Sequence, residues 1–148
     1  MRIVLDTNIL ARAFASPTGP AGEALERIRS PHLLVVSLQI LDELADVLGR
    51  PRVRQLHGRD DPAIFRFVQL IEAAALVVAV SEESAPCVVQ NDRDDDLVIA
   101  TAVGGNADVI CTCDKDFRAQ VVVSYCRQRS IEIVDDIELL QQLRSSTA

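Results

Sequence analysis

Asp94-Asp95-Asp96-Leu97-Val98-Ile99-Ala100-Thr101-Ala102-Val103-Gly104-Gly105-Asn106-Ala107-Asp108-Val109-Ile110-Cys111-Thr112-Cys113-Asp114-Lys115-Asp116-Phe117 carries most of what this sequence says about its own architecture. Three carboxylates stand at the mouth of a short apolar run that reads as a helix. Gly104-Gly105 is expected to stop that helix, because glycine takes the left-handed conformation that closes a helix end. Residues 108–111 then read as a buried strand running straight into a second acidic group, Asp114 and Asp116. Helix, break and strand fit in about two dozen residues, so both acidic groups can return to one edge of a sheet.

Outward from this stretch, strands and helices alternate. Residues 2–5 are a short β-branched run ending at Asp6-Thr7-Asn8, and their unbroken apolar character fits a strand buried on both faces of a parallel sheet. A helical turn or two over 9–14 is broken by Ser16-Pro17-Thr18-Gly19-Pro20, and a helix resumes over 21–28. A strand over 33–36 leads into a helix over 38–48, N-capped by Ser37 and ended by Gly49 and Pro51. On the wheel of that helix Leu38, Leu41, Leu44, Ala45 and Leu48 share a face, which Ile40 and Val47 widen on one side. Asp42 and Glu43 lie just beyond opposite edges, and the wheel does not choose between them. Residues 50–61 read as a polar loop carrying Arg50, Arg52, Arg54, His57 and Arg59. Pro62 opens a helix of about ten residues, 75–80 is a strand, and 81–91 is a mixed connection. After the central stretch come an ambiguous 118–130, a strand over 131–134 and a helix over 135–143.

This alternation predicts an α/β domain with a mostly parallel sheet. In such sheets ligands bind beyond the carboxyl ends of the strands, where the strand order switches. Asp6 follows the first strand and Asp114 the strand after the central helix, so they meet at that place if the two strands are neighbours.

The totals agree with a folded enzyme-sized domain. The chain has 148 residues, 49% hydrophobic and 25% charged, enough for one domain with a proper core and unlike a disordered segment. The longest apolar run, 73–80, is far too short to span a bilayer. The first six residues lack a signal-peptide core, which points to a cytoplasmic protein with no membrane partner. Cys87, Cys111, Cys113 and Cys126 do not suggest a disulfide scaffold, and Cys111-x-Cys113 is closer-set than a usual zinc pair, so free thiols are expected. Net charge is −7, with one lysine and fourteen arginines. Broad charge neutralisation of nucleic acid would need a basic protein, so an RNA or DNA partner would have to be met by a local arginine patch and metal ions.

Each acid alone has an ordinary role. Asp6 could cap the following helix, Asp94–Asp96 could be a solvated helix start, and Asp114 and Asp116 could be turn residues. Together on one sheet edge they become a different object. Two carboxylates about 5 Å apart at an effective dielectric near 20 repel by roughly 3 kcal/mol. Without a cation at least one would stay protonated at neutral pH. A hard divalent ion with oxygen ligands, Mg²⁺ or Mn²⁺, relieves the repulsion, and one or two such ions also suit phosphodiester cleavage.

Four motifs occur in register along the chain: Leu5-Asp6-Thr7-Asn8, Ser37-x-x-x-Leu41-x-Glu43-Leu44, Asp95-x-Leu97-Val98-x-Ala100 and Thr112-x-Asp114-x-Asp116-Phe117. They resemble the PIN-domain ribonucleases, in particular the VapC-like toxins of bacterial toxin–antitoxin pairs. Ser16-Pro17-x-Gly19-Pro20 and Arg50-Pro51-Arg52-Val53 are similar to one bacterial PIN subgroup. The resemblance covers nearly the whole chain and implies a single three-layer α/β/α domain over 1–148, with a sheet of about four to five strands. It implies Asp6, Glu43, Asp95 and Asp114 as a catalytic, Mg²⁺- or Mn²⁺-binding quartet, favouring Glu43 over Asp42 and Asp95 over Asp94 and Asp96. Asp116 would be a secondary metal acid, with Thr7, Asn8 and Thr112 bonding to the ligands. The implied reaction is hydrolysis of RNA by metal-activated water, without a covalent enzyme intermediate. No Ser-His or Cys-His frame competes with it, and His32 and His57 read as surface residues. Arg50, Arg52, Arg54 and Arg59 could grip backbone phosphates. The implied partners are an RNA substrate, a small antitoxin and a second copy of the chain, for which 9–14 with 121–123 offer apolar surface.

Other readings are weaker on the residues. A haloacid-dehalogenase phosphatase needs Asp-x-Asp, and Asn8 stands at its second acid. A phospho-receiver domain needs a lone acceptor Asp after the third strand, where 75–84 holds only Glu82 and Glu83. A non-catalytic RNA- or protein-binding PIN-like module is the rival from another class, against which the full acidic set weighs.

Overall fold

The computed structural model describes residues 1–83, 85–89 and 92–146. The expected 81–91 connection therefore lies partly outside the described residues, as do the last two residues of the expected 1–148 domain. Five strands form one sheet: β1 (Arg2–Leu5), β2 (Leu33–Ser37), β3 (Leu76–Val78), β4 (Val109–Cys111) and β5 (Glu132–Val134). All neighbours are parallel, in the order β3-β2-β1-β4-β5. The order reverses between β1 and β4, which pair through Ile3 with Val109, Val4 with Ile110 and Leu5 with Cys111. The two acid-bearing strands are thus neighbours at the switch point, and β1 is buried from Ile3 to Leu5 as its apolar run foretells.

Helices cover both faces, giving three layers. On one side α1 (Thr7–Ala15) packs with α2 (Pro20–Arg27) and α3 (Leu38–Gly49). α5 (Asp61–Ala74) packs on α3, and α8 (Asp136–Ser146) packs on α2. On the other side α6 (Arg93–Gly104) lies over β1, β2 and β4, and α7 (Gln120–Arg127) lies over β5. No described helix is long and apolar enough to cross a membrane.

Ser37 caps α3 as expected, its hydroxyl accepting from the Ile40 amide. The buried face of α3 is Ile40, Leu41, Leu44, Val47 and Leu48, while Leu38 is 56% exposed and Ala45 is also exposed. The core-facing arc is therefore rotated toward Ile40 and Val47. At about 100° per residue this leaves Glu43 some 40° beyond the arc and Asp42 about 100° beyond it. Glu43 stands at the rim of the core, and Asp42 faces away.

The polar loop expected over 50–61 is instead mostly helix, α4 (Pro51–His57). Pro51 does not merely stop α3; it is the first residue of α4, where its missing N–H is no loss. Gly58 ends α4 with φ 64°, a left-handed conformation that suits glycine. The helix is too short to show a periodic stripe, so its anchors are tertiary. Val53 packs on the core. His57, expected at the surface, stacks edge-on against Phe14 at 4.9 Å and bonds the Leu48 carbonyl through Nε2 at 2.9 Å.

The residues left ambiguous at 118–130 are α7, preceded by a 3₁₀ turn, Lys115–Arg118. Ile9, Leu10, Ala13, Phe14 and Val122 are core residues, so the apolar surplus of 9–14 is not a free surface. The four cysteines are free; Cys111 and Cys126 are buried and Cys87 and Cys113 exposed.

The end of α6 differs from expectation in its chemistry. Neither glycine is left-handed there; Asn106 is, with φ 50°. The Ala107 amide donates to the Ala102 carbonyl and the Asn106 amide to the Val103 carbonyl, a Schellman closure with asparagine in the usual glycine place. Gly105 is required for space. A Cβ there would lie 2.4 Å from Val35 Cγ1 and 3.2 Å from the Thr101 carbonyl oxygen. Gly105→Ala is therefore expected to lose about 1–3 kcal/mol of stability in urea unfolding. Combined with Val35→Ala it should lose less than the sum of the two single changes. Plain additivity would show that the two residues do not press on each other.

Candidate active site

The site is assembled where β1, β4 and the start of α6 converge. The ladder runs one residue past each strand: the Asp6 amide donates to the Cys111 carbonyl and the Thr112 amide to that of Val134, both at 2.9 Å. This sets Asp6 and Thr112 side by side. Thr112 Oγ1 donates to Asp6 Oδ2 at 2.8 Å and accepts from the Asp114 amide at 3.1 Å, so one hydroxyl ties both acids together. Asp6 Oδ1 accepts from the Thr7 amide at 2.7 Å. Asp114 Oδ1 accepts from the Asp116 amide and so caps the 3₁₀ turn. Across the cleft, the Thr7 hydroxyl donates to Glu43 Oε2 at 2.8 Å.

The central acids separate by role. Asp92, two residues before the expected helix start, is the N-cap of α6, accepting from the amides of Asp94 and Asp95. Asp94 is exposed. Asp96 is buried and turned the other way, accepting from the Val88 and Val89 amides at 3.0 Å each, which fixes the connection ahead of α6. Asp95 is 6% exposed and faces the other carboxylates. Among the described residues its Oδ2 is the one buried side-chain oxygen or nitrogen without a hydrogen-bond partner.

Asp92, Asp95, Asp114 and Asp116 each present a carboxylate oxygen within 4.8 Å of the others. This compact group is not the expected quartet. It contains Asp95, Asp114 and Asp116 and adds Asp92; Asp6 and Glu43 lie outside that grouping and are bonded by Thr112 and Thr7. Asp92 was legible in principle, since an Asp three residues before Asp95 fits an N-cap position. The run Asp94-Asp95-Asp96 places the helix start one residue later than the observed Arg93, which hides its N-cap. Thr7 and Thr112 bond to Glu43 and Asp6, but exposed Asn8 bonds to neither.

The electrostatics follow from this crowding. Burial pushes the Asp95 carboxyl up to about 8, and the charges of Asp92, Asp114 and Asp6 add to it. Asp6 is also raised, mainly by burial, against the lowering effect of its bonds from Thr112 and Thr7. Glu43 is raised by burial, with Asp94, Asp6 and Asp92 contributing and the Thr7 bond opposing. An all-carboxylate donor set with a buried, unpartnered oxygen fits a hard divalent cation.

The arginines expected to grip phosphates are largely occupied. Arg50 pairs with Asp46 at 2.9 Å, and Arg54 pairs with Asp61 and bonds the Gly49 carbonyl. Arg59 lies over the Phe14 ring at 4.4 Å. Arg52 is exposed and makes no ion pair among the described residues.

Comparison with known protein families matches the PIN domain over residues 2–116, from the first residue of β1 to the last acid of the compact group. The chain belongs to the PIN domain family. PIN domains are generally nucleases and typically use divalent metals, and this PIN domain carries an acidic group beyond the carboxyl end of β4. The chain is also similar to an uncharacterized protein of Methanocaldococcus jannaschii, 27% identical over 117 residues that cover 78% of this chain and 72% of the relative.

Proposed function

We propose that this PIN domain is a metal-dependent endoribonuclease that hydrolyses RNA phosphodiesters with Mg²⁺ or Mn²⁺. The observation that carries the reading is Asp95, which has a buried, unpartnered oxygen and shares a compact carboxylate group with Asp92, Asp114 and Asp116. Those four residues would hold the cation, with Asp6, bonded to Thr112 beside Asp114, as a further ligand. The cation supplies positive charge to the scissile phosphate and lowers the pKa of the attacking water. The protein's own groups do the rest. Thr112 keeps Asp6 and Asp114 in one orientation, so their charge is preorganised. Glu43 is held by Thr7 through Oε2, which leaves Oε1 to take a proton from water at the rim. Burial raises the basicity of Glu43 toward that task.

The narrower reading is the toxin of a toxin–antitoxin pair, working as a cytoplasmic homodimer under a small antitoxin. It is supported by the order and spacing of the four motifs from Leu5 to Phe117.

The test uses purified protein and mixed RNA, with Mg²⁺ or Mn²⁺ against chelator and wild type against Asp6→Asn. Cleavage should require metal and fall at least ~100-fold in Asp6→Asn, a loss of about 3 kcal/mol in transition-state stabilisation. RNA that is bound but uncut under every metal condition would make this a binding module. Phosphate released from small esters instead would revive the phosphatase.

A further inference from the structure

A cavity of about 360 Å³ opens beside the carboxylates, and Asp114 belongs to both. Val47 of α3 and Val53 and Leu56 of α4 form much of its aliphatic wall, with Asn8 and Arg12 of α1 among the lining residues. Leu56 is 79% exposed, an apolar side chain open to solvent on a helix anchored by its neighbours Val53 and His57. The Asn8 carboxamide has no partner among the described residues. The Arg12 side chain is 57% exposed, bonds Cys113 Sγ at 3.4 Å and pairs with Asp136 at 3.5 Å, which holds its guanidinium at the cavity edge.

An aliphatic slot with an amide at its edge and a cation beside it matches a nucleoside carrying phosphate. A heterocyclic base has apolar faces for the valines and Leu56, and a polar edge for the donor and acceptor of Asn8. The Arg12 guanidinium suits a phosphate oxygen. Arg52, one helical turn before Leu56, adds a second exposed positive charge to the same side of an otherwise acidic protein. An apolar side chain of a partner protein would use the walls alone and leave the Asn8 carboxamide without a role.

We propose that this cavity seats the base of the nucleotide next to the phosphodiester held at the acids, with Leu56 against its face and Asn8 at its polar edge. The choice of scissile bond rests on the ribonuclease reading; base binding does not. The test is a set of labelled single-stranded RNAs with an abasic ribose at successive positions. Cleavage is followed with Mg²⁺ or Mn²⁺, and binding by anisotropy on Asp95→Asn protein. One abasic position should weaken binding and lower kcat/KM by about tenfold, the effect of losing one well-seated base. Leu56→Ser and Asn8→Ala should each shrink that penalty to less than about threefold, whereas Phe65→Ser, exposed on α5 but not lining the cavity, should keep it.

Base-dependent binding without cleavage would keep the pocket and remove the nuclease. Cleavage that is indifferent to every abasic position, or a penalty unchanged in both cavity variants, would overturn the pocket and keep the nuclease. Absence of any RNA binding would overturn both and leave the cavity to a partner protein's apolar side chain.

Discussion

Replacing Asp95 by asparagine is expected to abolish metal-dependent RNA cleavage while making the metal-free protein more stable. The two effects have one cause. Asp95 is buried, its Oδ2 has no hydrogen-bond partner, and its neighbours are Asp92, Asp114 and Asp6. In the absence of a cation that arrangement is unfavourable at neutral and alkaline pH, and the neutral, near-isosteric amide relieves it. At pH 8 the metal-free variant should exceed wild type by about 1–3 kcal/mol in urea unfolding. The same amide is a poor ligand for Mg²⁺ or Mn²⁺ and carries no charge to hold one. Cleavage should fall by ~10³-fold or more, about 4 kcal/mol in transition-state stabilisation. Thermal stabilisation by added metal should largely vanish. A variant that cuts RNA within tenfold of wild type would remove Asp95 from the site, and one less stable than wild type at pH 8 would contradict the repulsion.

The second large effect is on stability against pH. The Asp95 carboxyl titrates near 8 in the folded chain and near 4 in the unfolded one, so between those values the folded state binds a proton that the unfolded state does not. Folding that takes up a proton is weakened as pH rises. Asp6 and Glu43, both raised, act in the same direction. In chelator the unfolding free energy should therefore fall from pH 5 to pH 8, by roughly 4 kcal/mol for one fully developed proton difference. A saturating divalent cation holds the carboxylates ionised and should flatten or reverse the slope, because metal and protons compete for the same oxygens. Melting curves at several pH values, with and without Mn²⁺, decide it. A metal-free Tm that is flat or rises across that window would mean the acids are not coupled as the geometry requires.

How legible the site was depends on which interactions carry each residue. Asp6 and Asp114 were found because they sit at strand ends, and strands announce themselves by β-branched runs. Asp95 was separated from Asp94 and Asp96 by motif register alone. The structure adds the reason that these three differ: a helix start points successive side chains in different directions, so one is exposed, one meets the acids, and one bonds the Val88 and Val89 amides. Asp92 was missed because its place in the acidic group depends on where α6 begins, and helix boundaries are weakly encoded. α4 was missed for a related reason. Its seven residues have no apolar period of their own and are held by His57 on Phe14 and by Val53 on the core.

The sequence by itself determined the alternation of strands and helices, the parallel character of the sheet and the acids at its strand ends, because these follow from residue type and local period. Tertiary structure alone decided that Asp92 joins the acidic group, that threonine hydroxyls bond Asp6 and Glu43, and that Gly105 is required by Val35 rather than by its own backbone. Each of these depends on a contact between segments far apart in the chain. Short-range propensity carries no record of which distant side chain will be within bonding distance.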